Sequence, residues 1–178
     1  MRIGITGAQS TGKTTLLNAL RSEPYFKDYA ICDEVTRRVQ NYNLPINEHG
    51  NDVTQRLIMH EHIVNVYMND NMIADRTVLD GLVYTLYLYG RGNVKQETVS
   101  YVRNVFNKVW QAYDYVFFIE PEFLIENDGI RSIDVSFRDS IVKLFRDEII
   151  ANNLEVVYIN GSVRQRVNTV LTTIGVEL

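Results

Sequence analysis

This 178-residue sequence is poor in cysteine, proline and net charge, with one Cys, three Pro and a formal charge of −4. Cys32 alone cannot close an internal disulfide, and its place in the apolar stretch Tyr29-Ala30-Ile31-Cys32 predicts a small buried hydrophobe, not a nucleophile. Pro24, Pro45 and Pro121 are scattered, no segment reads as a linker or a repeat, and the length predicts one domain over 1–178. The acidic balance supplies no general basic field for nucleic acid or an anionic membrane. Apolar runs are strand-sized, and the first begins directly after Met1, which leaves no room for a leader. The expectation is a cytoplasmic protein with no membrane partner. An Asn-Lys-x-Asp guanine motif is missing, and the length leaves no room for the helical lid domain of an AAA-type motor. His60 and His62, two residues apart, point different ways on a helix and cannot form the i, i+4 pair used for zinc.

What is present is an alternation of short apolar runs with amphipathic helical patterns, the signature of a parallel sheet covered on both faces. Strands are predicted at Arg2–Thr6, Tyr29–Cys32, Asn71–Ala74, Tyr115–Ile119 and Glu155–Ile159. Helices are predicted over Lys13–Leu20, Val35–Tyr42, a long segment capped by Asp52 with Gln55, a stretch through Leu79 and Leu86 that stops at Gly90, and Lys95–Ala112. The long segment carries Val53, Leu57, Ile58, Val64 and Tyr67 as its apolar positions. Two later helices carry Phe137, Ile141, Leu144, Phe145 and Ile149, and begin at Ser162, respectively.

Between the first strand and first helix lies Gly7-Ala8-Gln9-Ser10-Thr11-Gly12-Lys13-Thr14, a complete G-x-x-x-x-G-K-[ST] phosphate-binding loop, followed by Thr15. Its glycines let the backbone wrap a phosphate chain so that successive N–H groups and the helix N-terminus face the anion. Lys13 supplies a point charge to the β- and γ-phosphates, and Thr14 places a hydroxyl where phosphate-bound Mg²⁺ sits. Gly7 through Thr15 are therefore candidate nucleotide contacts.

In open α/β sheets ligands bind beyond the carboxyl ends of the strands, and acids gather there: Asp33-Glu34, Asp75-Arg76 and Glu120. Phosphoryl transfer needs phosphates and metal held, a hydroxyl deprotonated and charge neutralised. Asp75 is the candidate Mg²⁺ ligand, Glu34 or Asp33 the candidate base, and Arg76 a candidate contact to phosphate or acceptor. The alternative for these acids is helix capping and surface pairing with Arg37, Arg38 or Arg76. Glu120 to Asp134 is polar and predicts a lid over about 121–138, in which Arg131 and Arg138 stand two helical turns apart, suited to phosphoryl oxygens. Tyr84, Tyr87 and Tyr89 are expected to pack, with one ring available to an acceptor pocket.

In Gly7 to Thr14, Asp75-Arg76 and Asn127-Asp128-Gly129-Ile130-Arg131-Ser132, the sequence resembles small P-loop kinases of the nucleoside and nucleotide kinase superfamily, most nearly the nicotinamide-riboside kinase domain, whose acidic-Asp-Gly-Leu-Arg-Ser lid is similar. It also resembles deoxynucleoside kinases, with Glu34 in the place of their general base and Asp75-Arg76-Thr77 in the place of an acid-Arg-Ser motif, Thr77 departing from serine. The resemblance implies a three-layer α/β P-loop fold with a five-stranded parallel sheet in the order 2-3-1-4-5, ATP and Mg²⁺ as cosubstrates, and a base-binding turn at Asn160-Gly161. It implies an acceptor that is a nucleoside, a monophosphate or nicotinamide riboside; related virus-encoded kinases add a modified DNA base, 5-hydroxymethyluracil. Arg37, Arg38, Arg76 and Arg91 are candidates for an acceptor phosphate. A nucleotide-gated regulatory ATPase is the reading outside the kinases. The oligomeric state stays open, a homodimer being one arrangement.

Overall fold

The structure, a computed structural model, describes residues 1–121 and 135–177. Five strands, β1 (Arg2–Thr6), β2 (Ala30–Cys32), β3 (Met72–Asp75), β4 (Tyr115–Ile119) and β5 (Val157–Ile159), form one sheet in the order β2-β3-β1-β4-β5. Every pairing is parallel, with Ile3 opposite Ile73 and Ile5 opposite both Asp75 and Phe117. The predicted order and class are those observed. β2 and β5 are shorter than expected, starting at Ala30 and Val157, and β3 runs one residue further, to Asp75.

Side chains alternate across the sheet with the period of two that a strand imposes. Ile3, Ile5, Ile73, Phe117 and Ile119 face one layer, where they meet Leu16, Leu17 and Leu20 of α1 (Lys13–Arg21) and Val167, Val170 and Leu171 of α7 (Val163–Thr173). Met72, Ala74, Val116 and Phe118 face the other. There they pack on α3 (Asp52–Met68), α4 (Val78–Gly90), α5 (Gln96–Val109) and α6 (Val135–Ala151). A short helix, α2 (Val35–Gln40), closes against α3 through Val35, Val39 and Ile58. α5 gives way to a tight turn at Trp110–Ala112, short of the predicted end.

α3 departs from its sequence reading in two ways. Its cap is Asn51, whose side chain accepts from the Val53 and Thr54 amides while Thr54 answers the Asn51 amide, so the Asp52/Gln55 box is one residue out of register. Its buried face is Thr54, Gln55, Ile58, Met59, His62, Asn65 and Val66, while Val53, Val64 and Tyr67 stand exposed. Of that face, Gln55, Ile58 and His62 line the cavity described next.

Candidate functional site

β1 ends inside the molecule, and the chain turns at Gly7, with φ at 142°, where a Cβ would lie 2.4 Å from the Ile119 carbonyl oxygen. Gly12, with φ at 86°, stands at the N-cap of α1 and offers no side chain to the first helical amides. Those amides, the positive end of the helix, are left for an anion. Lys13 is buried and folds back over the loop, its Nζ donating to Gly7 O at 2.8 Å and Ala8 O at 2.5 Å. Burial first, then the charge of Arg76, brings its pKa down to about 8, against the pull of Asp75, Asp80 and Glu34. Within the same loop Ser10 Oγ and Gln9 Nε2 are buried without a hydrogen-bond partner among the described residues. Ala8 and Thr11 are buried, and Thr15 is exposed in the first turn of α1.

Thr14 donates its hydroxyl to Asp75 Oδ2 at 2.5 Å, joining the loop to the end of β3. Asp75 is buried, its Oδ1 has no partner among the described residues, and burial raises its pKa. A hydroxyl and an under-satisfied carboxylate side by side fit Mg²⁺, a hard cation that takes a few protein oxygens and completes its shell with water and phosphate. The described residues contain no cluster of three His, Cys, Asp or Glu side chains for a metal.

Arg76 follows Asp75 with φ at 82°, in the left-handed region a non-glycine residue enters at a cost. That turn sends its guanidinium into a buried network. Nε donates to Glu34 Oε1 at 2.8 Å, and Nη1 donates to Asp80 Oδ1 at 3.2 Å. Its guanidinium lies 5.3 Å from the centre of the Tyr84 ring, whose hydroxyl donates to Gln9 Oε1 at 3.1 Å. The other oxygen of Asp80 accepts from Thr6 Oγ1 at 2.6 Å and from the Thr77 amide at 2.8 Å. Asp80 thus ties the strand feeding the phosphate loop to Arg76 and to the N-terminus of α4.

Beside Arg76 a cavity is lined by Thr36, Gln55, His62, Asp80, Gly81 and Tyr84, among others. Its free space of about 20 Å³ suits one water. Burial, with Arg76 and Arg38 adding to it, pushes the His62 imidazole down to about 3.

The two acids at the end of β2 separate cleanly. Glu34 is buried and engaged by Arg76 and by Arg37, whose Nε is 3.3 Å from Oε2. Asp33 points to solvent and pairs with Arg21 at 3.2 Å, away from the network. Of the candidate acceptor arginines, Arg37 and Arg76 meet at Glu34, whereas Arg38 pairs with Glu61 at 3.1 Å, and Arg91 is exposed at the far end of α4, about 20 Å from its start. Asn160 is exposed in the turn before α7. Gly161 accepts from Arg166 Nε at 2.9 Å, and Arg166 Nη1 donates to Thr11 O at 2.7 Å. Arg138, in the first turn of α6, has a largely buried side chain with Nε 3.9 Å from Asp139. Arg131, Asn127-Asp128-Gly129 and most of the expected 121–138 lid lie outside the described residues.

Asp80, Tyr84, His62 and Arg166 were not assigned site roles by sequence reasoning, apart from the general allowance for one tyrosine ring. For Asp80 a local signal existed, the Thr77-x-x-Asp80 capping box, but a cap alone does not reveal a second oxygen turned toward Thr6.

A parallel sheet in the order 2-3-1-4-5, with a phosphate loop after β1 and an Asp-Arg pair after β3, defines a P-loop protein with the nucleoside-kinase fold. The chain belongs to the family whose model, described as an AAA domain, matches residues 2–166. A search of curated proteins gives no match. Among solved structures, NadR in complex with NR is similar at a TM-score of 0.73 and 16% identity, over 99% of this chain and 51% of NadR. This chain therefore spans about half of that protein. Deoxyadenosine kinase from M. mycoides, with dCMP and dCDP bound, is similar at a TM-score of 0.71 and 17% identity over 98% of both chains. YorR from Bacillus subtilis, in complex with phosphorylated GDP, follows at a TM-score of 0.60 and 16% identity, over 98% of this chain and 95% of YorR.

Proposed function

We propose that this protein is an ATP- and Mg²⁺-dependent kinase that transfers the γ-phosphoryl group to a hydroxyl of a nucleoside-like acceptor. The observation that carries the reading is the buried Glu34–Arg76 pair, held at 2.8 Å at the ends of adjacent strands, between the Thr14–Asp75 pair and a polar cavity. The loop amides and Lys13 hold the β- and γ-phosphates, Lys13 exchanging its two backbone carbonyls for phosphate oxygens. Thr14 and Asp75 hold Mg²⁺, which supplies charge neutralisation on the phosphates. Glu34 takes the proton of the acceptor hydroxyl, whose oxygen bonds to the γ-phosphorus as the bond to the β-bridging oxygen breaks and ADP leaves. Arg76 fixes Glu34 and faces the acceptor. Asn160 and Gly161 flank the adenine side of the nucleotide.

The acceptor bears no phosphate on this reading. Arg76 already faces two carboxylates, Arg37 and Arg38 face Glu34 and Glu61, and Arg91 is remote. That balance favours a free nucleoside over a monophosphate or a DNA strand carrying a modified base. The test is label transfer from γ-labelled ATP to a panel of nucleosides, monophosphates, nicotinamide riboside and hydroxymethyluracil-containing DNA. Transfer to a nucleoside supports the reading. Hydrolysis without transfer to any acceptor overturns it in favour of a regulatory ATPase.

A further inference from the structure

The side chain of Gln9 leaves the phosphate loop and reaches α4, where its Oε1 accepts from the Tyr84 hydroxyl at 3.1 Å, across 75 residues of sequence. That hydroxyl in turn accepts from Arg76 Nη1 at 3.5 Å. A phenol has one proton to give, and burial raises the Tyr84 pKa, which keeps the proton in place. Arg76 can only donate, so Tyr84 spends its proton on Gln9, and the atom it meets is the amide oxygen. The amide is thereby fixed the one way round that leaves its N–H donors unused: Gln9 is 2% exposed, and Nε2 has no partner among the described residues.

The next residue repeats the deficit. Ser10 is 9% exposed with φ at 59°, and its Oγ is also buried without a partner among the described residues. Unsatisfied buried polar atoms weaken a fold, and two in succession persist where a ligand completes the bonding. In a loop whose amides and Lys13 are set for an anion, that ligand is the same anion. Gln9 has the longer reach. It spans from the loop to Tyr84, whose ring lies against Arg76, and Arg76 holds Glu34. Gln9 therefore stands between the phosphates and the base, where the γ-phosphoryl group crosses to the acceptor. An uncharged donor suits that place, because it stabilises charge on the phosphoryl oxygens without drawing Glu34 into a further ion pair.

We propose that Gln9 is a catalytic residue whose side-chain amide donates to the γ-phosphoryl group in transit, and that Tyr84 is the positioning residue that aims it. This rests on the kinase reading above and adds to the backbone cradle a side-chain contact that ADP, which lacks that group, does not make.

The experiment measures Kd for Mg·ADP and Mg·AMP-PNP by calorimetry, and kcat at saturating ATP with the acceptor that the label-transfer panel identifies. The variants are Gln9→Leu, Gln9→Glu, Tyr84→Phe and the double Gln9→Leu/Tyr84→Phe. Gln9→Leu is expected to bind ADP within about twofold of wild type, to weaken AMP-PNP by about three- to tenfold, and to lower kcat by about 10²-fold, the loss on removing one preorganised donor. Gln9→Glu keeps the oxygen that Tyr84 bonds but turns a carboxylate oxygen on the phosphates, so it is expected to weaken AMP-PNP more than Gln9→Leu does, with ADP affected less. Tyr84→Phe leaves the amide free to turn and is expected to cost about tenfold in kcat, and nothing further when added to Gln9→Leu. A kcat for Gln9→Leu within about twofold of wild type overturns the inference while leaving the kinase reading intact. So does an equal loss of ADP and AMP-PNP affinity, which would make Gln9 a structural brace of the loop; if Gln9→Leu does not fold, Gln9→Glu decides alone by the same two criteria. Multiplying losses in the double variant overturn the role given to Tyr84. No transfer by wild type to any acceptor removes the kinase reading and this inference with it.

Discussion

Glu34 Oε1 accepts a hydrogen bond from Arg76 Nε at 2.8 Å across 42 residues of sequence, with both side chains at or below 5% exposure. Truncating Arg76 leaves two buried carboxylates, Glu34 and Asp80, short of their shared cation, which costs about 3–5 kcal/mol. Arg76→Ala therefore confounds activity with folding, and the isosteric Glu34→Gln is the cleaner probe.

Glu34→Gln is expected to lower kcat by about 10²–10⁴ with little change in ATP affinity, because the amide cannot accept the proton. Asp33→Asn, at an exposed pair, is expected to change kcat by less than about twofold. Steady-state kinetics on the two variants checks the assignment; a large loss confined to Asp33→Asn would move the base to that residue.

Lys13→Ala and Thr14→Ala are expected to abolish turnover while the circular dichroism spectrum stays that of wild type. Asp75→Asn is expected to raise the Mg²⁺ concentration at half-maximal rate by about 10–100-fold, the loss seen when a metal site loses a carboxylate contact. A Mg²⁺ titration of the rate reads this directly, and an unshifted midpoint would remove Asp75 from the metal site.

His62 carries a pH signature of its own. Its folded pKa of about 3 lies below the 6.5 of an ordinary imidazole, so between these values the unfolded chain binds the extra proton. Its contribution is complete above about pH 6.5 and is lost as pH falls toward 3. From pH 6.5 to 4.5 that amounts to about 2–3 kcal/mol. Urea unfolding across this window should show the loss in wild type and a shallower one in His62→Leu.

Arg166→Ala is expected to raise the KM for ATP by about tenfold, since it removes two hydrogen bonds that hold Thr11 and Gly161 in place. Arg166→Lys keeps the charge but loses the fork, so it is expected to lie closer to Ala than to wild type. Equal KM values in all three would show the loop to be self-supporting.

Much of this was legible in the sequence, and the failures have a common cause. β1 and β4 lie where their apolar runs place them, since a strand buried on both faces writes itself as an unbroken run. The phosphate loop and the placing of Thr14, Asp75 and the Asp33-Glu34 pair follow from residues at strand ends, but which of the two acids turns inward does not. Periodicity assigns apolar residues to the interior, whereas α3 turns Gln55 and His62 toward a small polar cavity and leaves Val53, Val64 and Tyr67 in water. Asp80 and Tyr84 acquire their roles from Thr6 and Gln9, 74 and 75 residues away, and no local pattern encodes such meetings.

Arg166 reaches back across 155 residues to the Thr11 carbonyl. A nascent chain emerging from the ribosome therefore carries its phosphate loop long before it carries the brace for it. Until α7 has been synthesised and docked, the loop lacks that anchor, and a nucleotide would bind to an incompletely held cradle. Firm nucleotide capture is thus expected to follow docking of α7, and a fluorescent ATP analogue would report that docking more faithfully than formation of the sheet.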